Sequence, residues 1–115
     1  MKIEIIQKKI NQKELVELAK LNHGDMIKGV VDLQKKILAL GGELHADGED
    51  LLLREGSRQE DLWGFNIYVD QPRENRIKYT SFINIRPRQK NMSMEIADPH
   101  LKQKIKEVVD LLVEP

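Results

Sequence analysis

Cysteine is absent from the 115 residues, which excludes structural disulfides, thiolate zinc sites and cysteine nucleophiles together. Only His, Asp and Glu remain as metal ligands. Aromatic residues are scarce, with one Trp, two Tyr and two Phe, so aliphatic packing has to supply the core and each aromatic position carries more weight. Charge of one sign is not in excess, because 19 Lys and Arg balance 19 Asp and Glu. A surface that tracks phosphate backbones usually shows a surplus of base, so nucleic acid is disfavoured as a partner and only a local basic patch stays open. No apolar run approaches the roughly 20 residues of a bilayer span, so no membrane association is expected. The N-terminal MKIEIIQKKI is broken by Glu4 and does not read as a signal peptide. The expected compartment is the cytoplasm. The strong mechanistic signatures are also missing: there is no phosphate-cradling glycine loop, no H-E-x-x-H and no G-x-S-x-G.

What is present reads as one folded α+β domain over residues 1–115, a mostly antiparallel sheet of about five strands covered by helices in the order β-α-β-β-α-β-β-α. KIEII alternates as a short strand, at an edge of the sheet. Asn11 followed by Glu14 resembles a capping box, with Leu15, Leu18 and Ala19 on one helical face and Gly24 as the stop. Residues 25–40 fit two patterns. Met26, Val30, Leu33, Ile37 and Leu40 make a helical seam, whereas Gly29, Val30 and Val31 favour strands and DLQKK reads as a turn. The hairpin is preferred. Its second arm is expected to run on through ILALGGELHA, with Glu43 and His45 facing away from the core unless a bulge at Gly41 or Gly42 reverses the phase. Asp47 is expected to cap a short helix carrying Leu51 and Leu52 and closed by Gly56.

LWGFNIYV alternates cleanly, with Trp63, Phe65, Ile67 and Val69 on one face. Trp63 is expected to anchor the core. IKYTSFINIR is predicted to pair with it, Tyr79, Ile83 and Ile85 on one side and Thr80, Phe82, Asn84 and Arg86 on the other, until Pro87 ends it. RQKNMSMEIA is then a long polar connection. Asp98 as N-cap and Pro99 at the first helical position open a final helix with Leu101, Ile105, Val108, Val109 and Leu112 on one stripe.

Alternation would put Asn66, Asn84, Arg86 and His45 on one polar surface, joined by Asp47, Ser57, Gln59, Asn91 and Ser93 from the flanking turns. A histidine can exchange a proton near neutral pH, and arginine presents a rigid donor fork suited to carboxylate or phosphate. The set describes an anion-accepting site with His45 and Arg86 as the catalytic candidates, should there be catalysis. Each member also has a structural reading: a helix cap for Asp47, a hydrogen-bonded histidine for His45, a strand-ending ion pair for Arg86. His23 and His100 read as solvent or capping residues. Glu43, Asp47, Glu49 and Asp50 with His45 could be taken for a metal cluster, but acids in a first helical turn are favoured by the helix dipole without any metal. Arg86, Arg88 and Lys90 with Asn91 could touch a phosphate backbone, or form a solvated loop. No metal or cofactor is expected.

The runs LHADGEDLL, GSRQEDLWG and INIRPRQKNMSMEI, read in order with the last helix, resemble a small prokaryotic family filed as a domain of unknown function. The matching positions are His45, Asp47, Ser57, Gln59, Trp63, Gly64, Asn84, Arg86, Asn91 and Ser93. In that pattern an arginine often stands where this chain has Met92. The resemblance implies a glycine-containing turn near Lys36, favouring the hairpin, and it implies no activity. The expected function is a small binding or interaction domain that accepts an anionic small molecule or a protein partner, with a homodimer as one arrangement. The alternative is a small hydrolase or endoribonuclease-like toxin, or the partner protein, of a two-gene module.

Overall fold

The first and the last helix begin where a side chain satisfies a free backbone N–H group of the first turn. Asn11 accepts from the Glu14 amide at 2.8 Å while Glu14 accepts from the Asn11 amide at 3.2 Å, and Asp98 accepts from the His100 amide at 2.8 Å with Pro99 in the first turn. The computed structural model describes residues 1–115. In chain order the elements are β1 (Ile3–Ile6), α1 (Gln12–Lys20), β2 (Met26–Asp32), β3 (Ile37–Gly41), α2 (His45–Arg54), β4 (Leu62–Tyr68), β5 (Ile77–Lys78) and α3 (Pro99–Leu112). The strands form one sheet in the order β1-β3-β2-β4-β5, antiparallel throughout. This is the α+β order the sequence predicts, with residues 26–41 a hairpin and β1 at an edge. No helix is long and apolar enough to cross a membrane.

The sheet is covered on both faces. Ile27, Val31, Leu38, Leu40, Phe65 and Ile67 meet Leu15 and Leu18 of α1 and Ile105, Val109 and Leu112 of α3. Trp63 and Val69 join this larger core, as the alternation of β4 predicts. On the opposite face Val30, Ala39 and Leu62 pack with Leu52 of α2 and with the half-buried Ile83. Arg76 holds the end of α3 in place. Its guanidinium is 2% exposed and donates to the Val113 and Glu114 carbonyls at 2.9 and 2.8 Å and to Asp110 at 3.1 Å.

The β2–β3 turn is organised by Asp32, whose Oδ1 accepts from the Gln34 and Lys35 amides at 2.9 Å each. The turn closes through Lys36 in the left-handed region at φ 56°, a conformation that costs a side chain about 1 kcal/mol and glycine nothing. A glycine at this position would adopt the turn without that cost. Lys36→Gly is expected to raise the unfolding free energy by about 0.5 kcal/mol, the relief of strain exceeding the added freedom of the unfolded chain. A urea midpoint at or below that of wild type would contradict it.

Three expectations are corrected. The second hairpin arm stops at Gly41: Gly41 and Gly42 have φ of 112° and 95°, and a Cβ on Gly41 would meet the Lys2 carbonyl oxygen at 2.0 Å. The glycines turn the chain out of the sheet, so His45 opens α2 instead of ending a strand. Asp47 accordingly does not precede the helix as its cap. It sits in the first turn and reaches back, its Oδ2 accepting from the Leu44 amide at 3.0 Å. Third, residues 77–86 are not one long strand. Only Ile77 and Lys78 pair with β4, after which the chain bridges Thr80 to Glu95 and makes single helical turns at 82–84 and 87–89.

Candidate functional site

Where β5 ends, the first half of β4 has an open edge, and the segment from Ser81 to Asn91 closes it with side chains. Asn84, fully buried, lies against Gly64: its Oδ1 accepts from the Gly64 amide at 2.8 Å and its Nδ2 donates to the Gly64 carbonyl at 2.9 Å. One carboxamide thereby does what a neighbouring strand would do for that peptide. A Cβ at Gly64 would come within 2.6 Å of the Ser81 Cβ, so the close approach requires glycine.

Arg86 is 9% exposed. Its Nε donates to Ile83 O at 2.9 Å, one terminal nitrogen to Gln59 O at 2.7 Å and Gln89 Oε1 at 3.2 Å, and the other to Leu62 O and to Glu49 Oε2 at 3.4 Å. All five N–H groups of the guanidinium are thus engaged within the chain. The cation also lies 4.7 Å from the centre of the Trp63 ring, a cation–π contact. Burial lowers its pKa from the ordinary arginine value, and the Glu49 carboxylate opposes that shift.

Asn91 fixes the other side of the loop. Arg86 and Asn91 pair through both backbone bonds, at 2.7 and 3.1 Å. The Asn91 Nδ2 reaches Asn84 O, Ser93 O and Glu95 O, and its Oδ1 accepts from the Ala97 amide at 3.1 Å. Gln89 adds a bond from Nε2 to Glu60 O at 3.0 Å. Lys90 turns the tip through the left-handed region at φ 62°.

The other predicted residues lie apart from this lattice. His45, nine-tenths buried, donates from Nε2 to the Phe65 carbonyl at 2.8 Å. Asn66 donates to Thr80 O at 3.3 Å, and its Oδ1 is buried without a partner, as is His23 Nε2. Ser57 donates to Asp32 Oδ2 at 2.6 Å, tying the end of α2 to the hairpin turn. Asp47 faces solvent, as does Ser93, whose hydroxyl donates to Glu95 O at 3.0 Å. No three His, Asp or Glu side chains come together as a metal site. Asn84, Arg86, Asn91 and the Gln59 backbone are therefore one structure, which Glu49 joins to α2, one turn beyond His45.

Burial lowers the His45 pKa from its ordinary 6.5; the hydrogen bond to Phe65 O opposes this, and the charge of Lys28 adds to it. The fold thus favours neutral His45, and below pH 6.5 the unfolded chain binds more protons than the folded one. Stability attributable to His45 is complete above pH 6.5 and is lost as pH falls from there toward the folded-state pKa. His45→Gln, which keeps an N–H donor for Phe65 O, is expected to flatten that acid-side decline in urea midpoints between pH 7 and 5. A decline as steep as in wild type would assign the effect elsewhere.

Above the buried polar lattice lies the feature that the spacing alone did not reveal. Phe82 is 77% exposed, Met92 73% and Ile85 44%. Along 82–86 the expected alternation breaks: Asn84 and Arg86 point inward and Ile85 outward, against the expectation, while Phe82 is outward and Ile83 packs on the smaller core as expected. Phe82 and Ile85 line a groove with Pro87, Arg88 and Glu49 of α2. The sequence did carry one signal, a phenylalanine on the polar phase of its segment. A family model described as Protein of unknown function (DUF5674) matches residues 4–112. No curated protein and no solved structure matches the chain.

Proposed function

The chain belongs to this family of unknown function, and from that premise we propose that the domain is a non-catalytic interaction module whose contact surface is the loop from Phe82 to Met92. One observation carries the reading: large apolar side chains stand in solvent on a segment whose backbone is held from beneath by Asn84, Arg86 and Asn91. Apolar groups exposed together on a rigid support mark a contact surface, since ordering the loop has already been met by folding and is not charged to binding. Arg86 serves as a pillar of that surface. The hydrolase alternative needs His45 and Arg86 to present groups to a substrate, whereas His45 is buried against Phe65 O and every Arg86 N–H is engaged.

The reading is tested by placing a photo-crosslinking amino acid at Phe82, Ile85 or Met92, and at the exposed Leu21 as a control, in cells producing the full chain. Discrete adducts at the three loop positions and none at Leu21 are expected. Equal labelling at all four positions, or none at any, would remove the contact surface.

A further inference from the structure

Charge is balanced over the whole chain but not over its surface. Between Glu74 and Glu95 there is no Asp or Glu, and Arg88 and Lys90 at the loop tip make no ion pair. The neighbouring stretch Glu43–Glu55 has the opposite character: Glu49 is held by Arg86 and Asp50 by Arg54, while Glu43, Asp47 and Glu55 make no ion pair. Both surfaces carry exposed apolar groups. Phe82, Ile85 and Met92 stand on the loop, and Leu44 and Leu53, 56% and 39% exposed, lie at the start and near the end of α2. The two surfaces adjoin across the groove where Glu49 meets Arg86.

We infer that the loop 82–92 docks on α2 of a second copy of this chain, the two contacts related by a two-fold axis. This rests on the interaction-surface reading and names its occupant. A two-fold interface requires that a patch be complementary to itself, which adjoining basic and acidic apolar surfaces satisfy when rotated onto each other. Arg88 and Lys90 of each copy then face the carboxylates of the other's helix, and Phe82 is removed from water beside Leu53. An unrelated partner would have to supply both an acidic and a basic half in this arrangement, and a second copy already has them. Because the net charge is zero, no overall repulsion opposes pairing. Attraction between such patches sets partner choice and register, and rejects like-charged partners.

Sedimentation of the full chain across a concentration series decides it. Wild type is expected to move from 13.4 kDa toward twice that mass, with an association that weakens as salt is added. Phe82→Ser, which alters an exposed side chain, is expected to raise the dimer dissociation constant at least about tenfold. Arg88→Glu/Lys90→Glu makes loop and helix both acidic, and Ala46→Lys/Asp50→Lys/Glu55→Lys, which takes the stretch 43–55 from a net charge of −4 to +1, makes both surfaces basic; each variant alone is expected to be monomeric. Mixed one to one, each loop again meets a helix of opposite charge, and the heterodimer is expected to return. A monomeric wild type at the highest concentrations overturns the second copy, while crosslinks at Phe82 would still uphold the contact surface. A wild-type dimer unchanged by Phe82→Ser and by both charge variants places the dimer on another face and overturns the proposal. Two monomeric charge variants that fail to associate when mixed overturn it as well. Circular dichroism of each variant shows that loss of mass is not loss of fold.

Discussion

Asn84→Ala is expected to lower the unfolding free energy by about 3–5 kcal/mol, read as the fall in urea midpoint at pH 7 with an unchanged denaturant slope. The magnitude follows from what the side chain leaves behind. Gly64 would keep a buried N–H and a buried C=O with nothing to bond, at about 1–3 kcal/mol each. The lost carboxamide would also leave a void, since Asn84 is fully buried. For a domain whose total stability is on the order of 5–15 kcal/mol, that loss is severe. A deficit below about 1 kcal/mol would mean that water replaces the carboxamide and that Asn84 does not stand in for a strand.

Asn84→Asp separates the two halves of this contact. The carboxylate can still accept from the Gly64 amide, but it turns a negative oxygen toward Gly64 O and Met94 O, which now receive hydrogen bonds at 2.9 and 3.3 Å. Burial and these carbonyls favour the protonated acid, whose O–H restores a donor, so the folded pKa lies above the ordinary value of about 3.9. The folded chain then binds more protons than the unfolded one, and the variant gains stability relative to wild type as pH falls toward that folded pKa. A deficit that does not change with pH would show that the Nδ2 bonds contribute little.

The contrast between elements that were legible in the sequence and those that were not has one physical cause. α1, α3 and the hairpin follow from local chemistry: a cap at Asn11 or Asp98, a stripe at helical spacing, and a turn whose Asp32 binds the next amides. β4 was legible because its apolar phase enters the larger core. The segment after β5 has an alternation just as regular, but alternation says only that two faces differ, not which one is inside. Here the alternation itself breaks: Asn84 and Arg86 turn inward because the facing partner is an open strand edge that offers peptide groups, while Ile83 still packs on the smaller core and Phe82 stays in solvent. Asn84 and Arg86 are the side chains able to satisfy it. His45 was misplaced for a related reason, because the positive φ of Gly41 and Gly42 removed the strand on which its phase was counted. The residue types of the candidate set were thus recognisable, while their shared surface was not, since it depended on strands continuing past residues 41 and 78.

Arg86→Lys is expected to cost about 3 kcal/mol or more despite keeping the charge, because one ammonium offers three donors from a point where a planar fork serves five acceptors. Ile83 O, Gln59 O and Leu62 O cannot all be reached from there, and the Glu49 carboxylate, 15% exposed, loses its ion-pair partner. Arg86→Met keeps apolar contact with Trp63 but strands the Glu49 charge, and is expected to be worse than the lysine variant. Adding Glu49→Gln to Arg86→Met should then recover roughly 1–2 kcal/mol, because removing one member of a buried pair costs more than removing both. If Arg86 were instead the receptor for an external anion, its donors would be available to phosphate, which would stabilise the wild type by mass action and leave Arg86→Lys much less affected. With all five N–H groups held internally, phosphate at constant ionic strength is expected to shift the midpoints of both proteins equally. A shift confined to wild type would return Arg86 to the role of a ligand-binding residue, and the loop above it would then be read as the wall of that site.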